Sequence, residues 1–212
     1  GVLALTTDTG DNDSQVIFAG PFAPRDGGMW MECRFKMPTS VASERGSWFV
    51  GFAETLSMTT PVLPATRATA TTTYTAGGTL GVLLDTESTL IEFFAVAGDN
   101  SAAIATVDKN GAVGNANGIQ LTGAAGIPGG TIATADVWYI VRVEIDPDGK
   151  GRVYFGDYDG GTSETKPMNL VCKNTTAFTI TDLFFAHVGV QNTTTANEEM
   201  EIDYLYGEGG RD

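Results

Sequence analysis

The residues able to do chemistry are few and unevenly distributed. The chain holds one histidine, His187, and two cysteines, Cys33 and Cys172, but 26 acidic side chains, so carboxylates would have to carry most reactions. The most suggestive spacing is Glu201-Ile202-Asp203, where alternation along a strand would project two carboxylates from one face. Retaining glycoside hydrolysis needs two such groups about 5–5.5 Å apart, one as nucleophile and one as acid/base. Here the next position in the series is Leu205 or Tyr206, and Glu198 and Glu199 prolong the run, so the pair reads as part of a solvated acidic face. His187, in Phe184-Phe185-Ala186-His187-Val188-Gly189-Val190, shares strand parity with Phe185 and Gly189, the pattern of a packed or rim residue, with no Ser or Cys set beside it as a nucleophile. One histidine and two separated cysteines do not make a zinc site, and no phosphate-cradling GxxxxGK occurs. The residues therefore predict no catalytic, cofactor-binding or metal-binding set, and a protein that is not an enzyme.

Oxygen-rich turns carry two readings. Asp8, Asp11, Asn12 and Asp13, together with Asp146 and Asp148 or Asp157 and Asp159, offer carboxylates beside glycine turns, but without EF-hand spacing. Aspartate and asparagine occupy turns for their local hydrogen bonds alone, and that ordinary role is the expectation. The three tryptophans divide by parity, Trp30 and Trp138 on the polar side of their strands and Trp48 within an apolar run. Outward aromatic faces stack on pyranose rings and equally anchor protein interfaces, so both remain open. Cys33 alternates in phase with Met29, Met31, Phe35 and Met37, which predicts a buried free thiol, the alternative being a bridge to Cys172. Sequons at Asn12, Asn174 and Asn192 would matter only in a eukaryotic secretory pathway.

The elements that must position these groups are strands. Period-two alternation recurs over 30–37, 47–54, 80–85, 91–97, 137–146, 152–158, 183–191 and 200–206, and no segment sustains helical spacing. In Asp146-Pro147-Asp148-Gly149-Lys150-Gly151, proline and glycine supply the dihedrals of a hairpin turn. Two long interruptions, 56–79 rich in Thr, Ala and Pro and 100–136 rich in Gly, Ala and Asn, read as loops. With 212 residues, 42% hydrophobic and 18% charged, the chain suits one all-β domain over 1–212, a two-sheet antiparallel jelly-roll sandwich with little helix and a short N-terminal arm over about 1–15. A net charge of -14 repels phosphate backbones and anionic headgroups, so neither nucleic acid nor membrane is an expected partner. The opening GVLALTTDTG has neither the basic start nor the apolar stretch of a signal peptide.

The order of segments resembles the concanavalin A-like lectin/glucanase superfamily. The residues that carry the likeness are Met31-Glu32-Cys33-Arg34-Phe35-Lys36, Ser47-Trp48-Phe49-Val50-Gly51-Phe52 and Gly81-Val82-Leu83-Leu84-Asp85. To these are added the Trp138-led strand with its glycine turn, Arg152-Val153-Tyr154-Phe155, and the closing Met200-Glu201-Ile202-Asp203-Tyr204-Leu205-Tyr206. Within that superfamily the chain is most similar to LamG-like virion structural proteins of tailed bacteriophages. The resemblance implies a non-enzymatic capsid decoration or cement subunit on the outside of the phage head, made in the bacterial host cytoplasm. Its partners would be the major capsid protein and further copies of itself in a dimer or trimer. The alternative is a lectin-like module that binds surface glycans. Segment 56–79, with Arg67 as its one charge and Pro61 and Pro64 restricting its backbone, is expected to dock on a neighbouring subunit or the shell.

Overall fold

Alternation at Met29–Lys36 and Trp138–Ile145 places Met31, Cys33 and Phe35 on the same side as Tyr139, Val141 and Val143, and all six are essentially inaccessible. The computed structural model describes residues 1–10, 13–37, 46–54, 62–68, 71–85, 92–99, 102–108, 111, 114, 118–121, 136–158, 168–192 and 197–210. Among them the strands are β1 (Leu3–Thr6), β2 (Ser14–Phe22), β3 (Met29–Lys36), β4 (Gly46–Ala53), β5 (Ala65–Ala68), β6 (Thr71–Tyr74), β7 (Gly78–Asp85) and β8 (Glu92–Asp99). After these come β9 (Ala102–Ala103), β10 (Thr106–Val107), β11 (Ile119–Gln120), β12 (Trp138–Ile145), β13 (Gly151–Tyr158), β14 (Asn169–Asn174), β15 (Phe184–Asn192) and β16 (Glu199–Gly209). The helical content described is one 3₁₀ turn, Pro24–Asp26.

The strands form two antiparallel seven-stranded sheets that pack face to face. The first runs β1-β16-β3-β12-β13-β14-β10; the second runs β11-β8-β7-β4-β15-β2, with β9 paired to β8. Between them lies a core in which Phe93 contacts Tyr139 and Phe155 at centroid distances of 4.7 and 4.9 Å. Each such large side chain taken from water contributes about 1.5–3 kcal/mol. The glycine turn behaves as read: Gly149, at φ 78°, donates its N–H to the Asp146 carbonyl at 2.9 Å, and β13 follows in register with β12. The jelly-roll sandwich expected from the alternation is the observed fold.

Three expectations need correction. The N-terminal segment is not an arm: β1 is the edge strand beside β16, with Leu3 opposite Ile202, and Ser14 already opens β2. Within 100–136, the described residues include the short strands β9, β10 and β11. The third correction is the largest. Segment 56–79 contains the hairpin β5–β6, which lies on the outer face of the second sheet, where Leu63, Ala65 and Tyr74 join Phe49, Leu83, Phe94 and Val96 in a second core. Arg67 does not point to solvent but sits 3.8 Å above the Phe94 ring and donates to Thr72 Oγ1 at 3.2 Å. The described part of the segment is thus docked on its own chain. This third layer explains why every residue of β4 is buried: Trp48, Val50 and Phe52 face the sandwich, while Phe49 faces the hairpin. On that covered face Gly51 lies opposite Gly81, and a Cβ on Gly51 would run into the Leu80 carbonyl and the Gly81 backbone.

Candidate functional site

With one face of the second sheet under a hairpin, the outer face of the first sheet is where side chains of β16, β3, β12 and β13 meet solvent in register. Pairing sets them in transverse rows. At one end lie Glu208, Trp30, Glu144 and Arg152. Next come Tyr206, Glu32, Arg142 and Tyr154, then Tyr204, Arg34 and Ile140, and at the far end Glu201, Lys36 and Trp138. Aromatic rings and ion pairs alternate on this face. Arg142 stands 4.6 Å over the Trp30 ring, and Arg34 and Lys36 stand 4.8 and 5.3 Å from the Trp138 ring.

The cations that β3, β12 and β13 present on this face are answered by carboxylates of the chain. Arg34 pairs with Asp203 at 2.9 Å, Lys36 with Glu201 at 3.0 Å and Asp136 at 3.1 Å, Arg142 with Glu144 at 2.8 Å, and Arg152 with Asp146 at 3.3 Å. Hydrogen bonds to Glu201 and Asp136 hold the Lys36 ammonium above its ordinary pKa. Tyr204 donates its hydroxyl to Glu32 at 2.9 Å, and burial together with that bond raises its pKa. Burial and the neighbouring Glu144 do the same for Tyr154. These shifts all favour the protonated phenols and ammonium, so the face is a set of fixed donors and acceptors at neutral pH.

At the Trp30 end the face opens into a cleft of about 510 Å³, within the range of small-ligand sites. Trp30 forms one wall and donates its indole N–H to Glu208 at 3.3 Å. The β12–β13 turn with Asp146 and Pro147, and Arg152, also line the cleft. Glycines shape the remainder: Gly28, at φ 81°, accepts the N–H of Gly210 at 3.3 Å, and a Cβ on Gly28 would stand 3.1 Å from the Ile145 carbonyl. A Cβ on Gly210 would run into the Asp26 backbone, so both glycines are set by close approach of neighbouring chain.

The residues singled out in the sequence fall as follows. Glu201 and Asp203 are indeed on the open face, but a bulge between Ile202 and Tyr204 makes Asp203 the extra residue, and each carboxylate is tied to a cation rather than presented as a catalytic couple. Glu198 does not extend a solvated acidic face: it is fully buried, its N–H bonded to Thr7 Oγ1. His187 is packed, not on a rim; it lies edge-on to Phe49 at 5.7 Å on the hairpin side of the second sheet, neither ring nitrogen has a hydrogen-bond partner, and burial lowers its pKa to about 3. Trp30 and Trp138 face outward as expected, while Trp48 is buried and donates to the Glu199 carbonyl at 3.1 Å.

The turn aspartates do local work. Asp13 Oδ2 accepts the Asp8 N–H at 2.7 Å, Asp8 Oδ1 accepts the Thr9 N–H at 2.6 Å, and Asp146 Oδ1 accepts the N–H groups of Asp148 and Lys150 at 3.1 and 2.8 Å. Asp11, Asn12, Asp159 and the Asp157 side chain lie outside the described residues. Among the described residues no group of three or more His, Cys, Asp or Glu is arranged to hold a metal ion. Both cysteines are buried free thiols, with burial pushing Cys33 up and Cys172 up to about 12. Asn174 and Asn192 spend their amides inside the fold, on the Gly149 and Asp8 carbonyls, and so are closed to modification. The sequence reading passed over Arg142, Glu144, Tyr154 and Tyr204 as site residues; their shared outward parity was the available signal.

No protein-family model and no curated protein sequence matches the chain. Solved structures do. The carbohydrate recognition domain of Emp46p, in its potassium-bound form, has a TM-score of 0.57 at 12% identity, over 98% of this chain and 83% of that one. A protein of unknown function from Shewanella oneidensis MR-1 gives 0.56 at 15% identity, over 98% and 68%. A family 7 alginate lyase, A1-II′, in complex with product gives 0.52 at 10% identity, over 98% and 80%. At these identities the likeness is one of fold: the chain has the concanavalin A-like jelly roll.

Proposed function

We propose that the chain is a carbohydrate-binding module that works without catalysis, through the outer face of its first sheet and the cleft beside Trp30. The observation that carries this is the cleft itself, an aromatic wall together with carboxylate and guanidinium groups already fixed by neighbours. Sugar binding asks for an apolar ring face against the C–H side of a pyranose and for rigid acceptors and donors around its hydroxyls. The non-catalytic reading is supported by the pairing of Glu201 and Asp203 with cations and by the burial of the chain's one histidine on the other sheet. The concanavalin A-like fold, shared with a carbohydrate recognition domain and a polysaccharide lyase, is consistent with it.

Electrophoresis through gels containing a panel of neutral and acidic polysaccharides tests this. The chain is expected to be retarded by at least one of them, and Trp30→Ala to weaken that retardation about tenfold, the scale of a lost aromatic anchor. Mobility unchanged by the whole panel would refute the proposal.

A second reading places the module on a tailed-phage head as a decoration subunit. The strand motifs quoted above support it, and Val2 and Leu3, more than half exposed at the start of the edge strand β1, offer the apolar contact such a subunit needs. Its interface would then lie at β1 and not in segment 56–79. Co-sedimentation with capsids that Leu3→Asp abolishes would favour this setting; chain left in the supernatant would count against it.

A further inference from the structure

We infer that the cleft beside Trp30 takes a neutral, hydroxyl-rich glycan and excludes uronate and sulfated chains; this rests on the glycan-binding reading and names its substrate class. The argument is one of charge and of who holds it. Four carboxylates, Asp26, Glu144, Asp146 and Glu208, line the cleft against one guanidinium, Arg152. That guanidinium is engaged by Asp146 at 3.3 Å, so a ligand carboxylate would have to displace an internal partner to reach it. The neighbouring cations are committed as well, Arg25 to Asp26 at 3.3 Å, Arg142 to Glu144 at 2.8 Å and Arg34 to Asp203 at 2.9 Å, and the exposed Lys173, opposite Arg152 on β14, is not among the residues that line the cleft.

An anionic sugar would therefore meet guanidinium groups already paired with carboxylates, and the Glu208 carboxylate, bonded to the Trp30 indole, left in excess. A ligand carboxylate in contact with the lining would lie within the Debye length of physiological salt, roughly 8 Å, so mobile ions would screen the repulsion only in part. A neutral sugar meets the opposite situation: its hydroxyls donate to carboxylate oxygens, charge-assisted bonds stronger than those between neutral groups, while Trp30 covers its ring. The whole chain, at -14, strengthens the same preference. The alginate lyase that shares the fold was solved with its product bound, and the chemistry of this cleft points away from a uronate ligand.

The test is titration of the chain at 0.15 M salt with cellohexaose, laminarihexaose and mannohexaose on one side and hexaguluronate and hexamannuronate on the other, read on the three tryptophan indole N–H resonances. At least one neutral hexaose is expected to shift Trp30 saturably while the uronates leave it unmoved at the same concentration; Trp48, buried between the sheets, serves as the internal control. The double variant Asp26→Asn, Glu208→Gln should lower the preference for neutral over uronate ligand at least tenfold, whatever it does to absolute affinity. Uronates binding as tightly as neutral chains would overturn the inference and leave glycan binding standing. A neutral chain that shifts Trp138 and not Trp30 would overturn the assignment to the cleft. Silence from every oligosaccharide would overturn the inference together with the reading beneath it.

Discussion

Truncating Leu63 to alanine tests whether the hairpin is a structural layer of the sandwich. Leu63 is fully buried, and one of its methyls lies 3.0 Å from where a Cβ on Gly189 would stand. Leu→Ala in such a site costs about 2–5 kcal/mol, and a value near 3 fits a pocket floored by sheet backbone that cannot collapse into the void. With an unfolding entropy of about 2.1 cal/mol/K per residue, 212 residues give roughly 0.45 kcal/mol/K, so Tm should fall by about 7 °C. Urea unfolding and calorimetry on the variant measure both quantities. The neighbouring glycine gives a sharper check. Gly189→Ala would put its methyl 2.6 Å from Val16 and 3.0 Å from Leu63, an overpacking worth about 1–3 kcal/mol. In the double variant the second clash is gone, so the two losses should sum to less than their separate values, with a coupling of about 0.5–1 kcal/mol. A loss below about 0.5 kcal/mol in Leu63→Ala would refute the seating of the hairpin and revive the idea of segment 56–79 as an arm for a neighbour.

Other consequences concern acid–base behaviour and thiols. Burial, a hydrogen bond to Asp182 and the charge of Asp99 raise the Glu54 carboxyl from 4.5 to about 7; the folded state thus holds a proton the unfolded chain releases, and stability should fall as pH rises from about 4.5 to 7. Solvent screening trims the effect to about 1 kcal/mol, and Glu54→Gln should be more stable than the parent at pH 8 by that amount in urea titrations; an identical pH slope would contradict this. His187 acts in the opposite direction: held neutral, it contributes stability that is present above about pH 6.5 and lost as pH falls toward 3, by up to about 1.4 kcal/mol per unit. His187→Met should flatten that acid limb and leave stability at pH 7 unchanged or higher by about 1 kcal/mol, because two unpartnered nitrogens leave the interior; a steeper limb would overturn the assignment. Cys33 should resist Ellman's reagent until urea unfolds the chain, and rapid labelling of the native protein would show that β3 does not face inward.

The first sheet was readable because its strands have one wet face. Period-two alternation in Met29–Lys36 and Trp138–Ile145 follows directly from a face that must be polar and a face that must be apolar. The second sheet lacks that contrast. In Ser47-Trp48-Phe49-Val50-Gly51-Phe52 apolar residues occupy both parities, which betrays a covering layer without saying which segment supplies it. The hairpin itself gave a faint signal: Leu63, Ala65 and Arg67 alternate inward on one arm and Thr72 and Tyr74 on the other, but the run is short, flanked by proline, and weighted with Thr and Ala. Its single charge argued for exposure, whereas the guanidinium is planar and stacks on Phe94. The cleft was illegible for a different reason. Its residues come from the start of β3, the β12–β13 turn and the end of β16, and nothing local in the sequence indicates that β16 inserts between β1 and β3.

The ion pairs of the open face bear on how such a protein can diversify. Arg34 and Asp203 are 169 residues apart in the chain yet bonded in space, and Lys36 with Glu201 repeats the arrangement. A lineage that loses Asp203 leaves Arg34 without that carboxylate, so this pair is expected to change together, whereas Lys36 keeps Asp136 if Glu201 is lost. Tyr206, 62% exposed at the middle of the same face, has no such tie to satisfy and can drift. Descendants of one ancestor would therefore keep the charged lattice while trading aromatic side chains upon it, and preferences for different ligands could accumulate without any of them passing through an unstable intermediate.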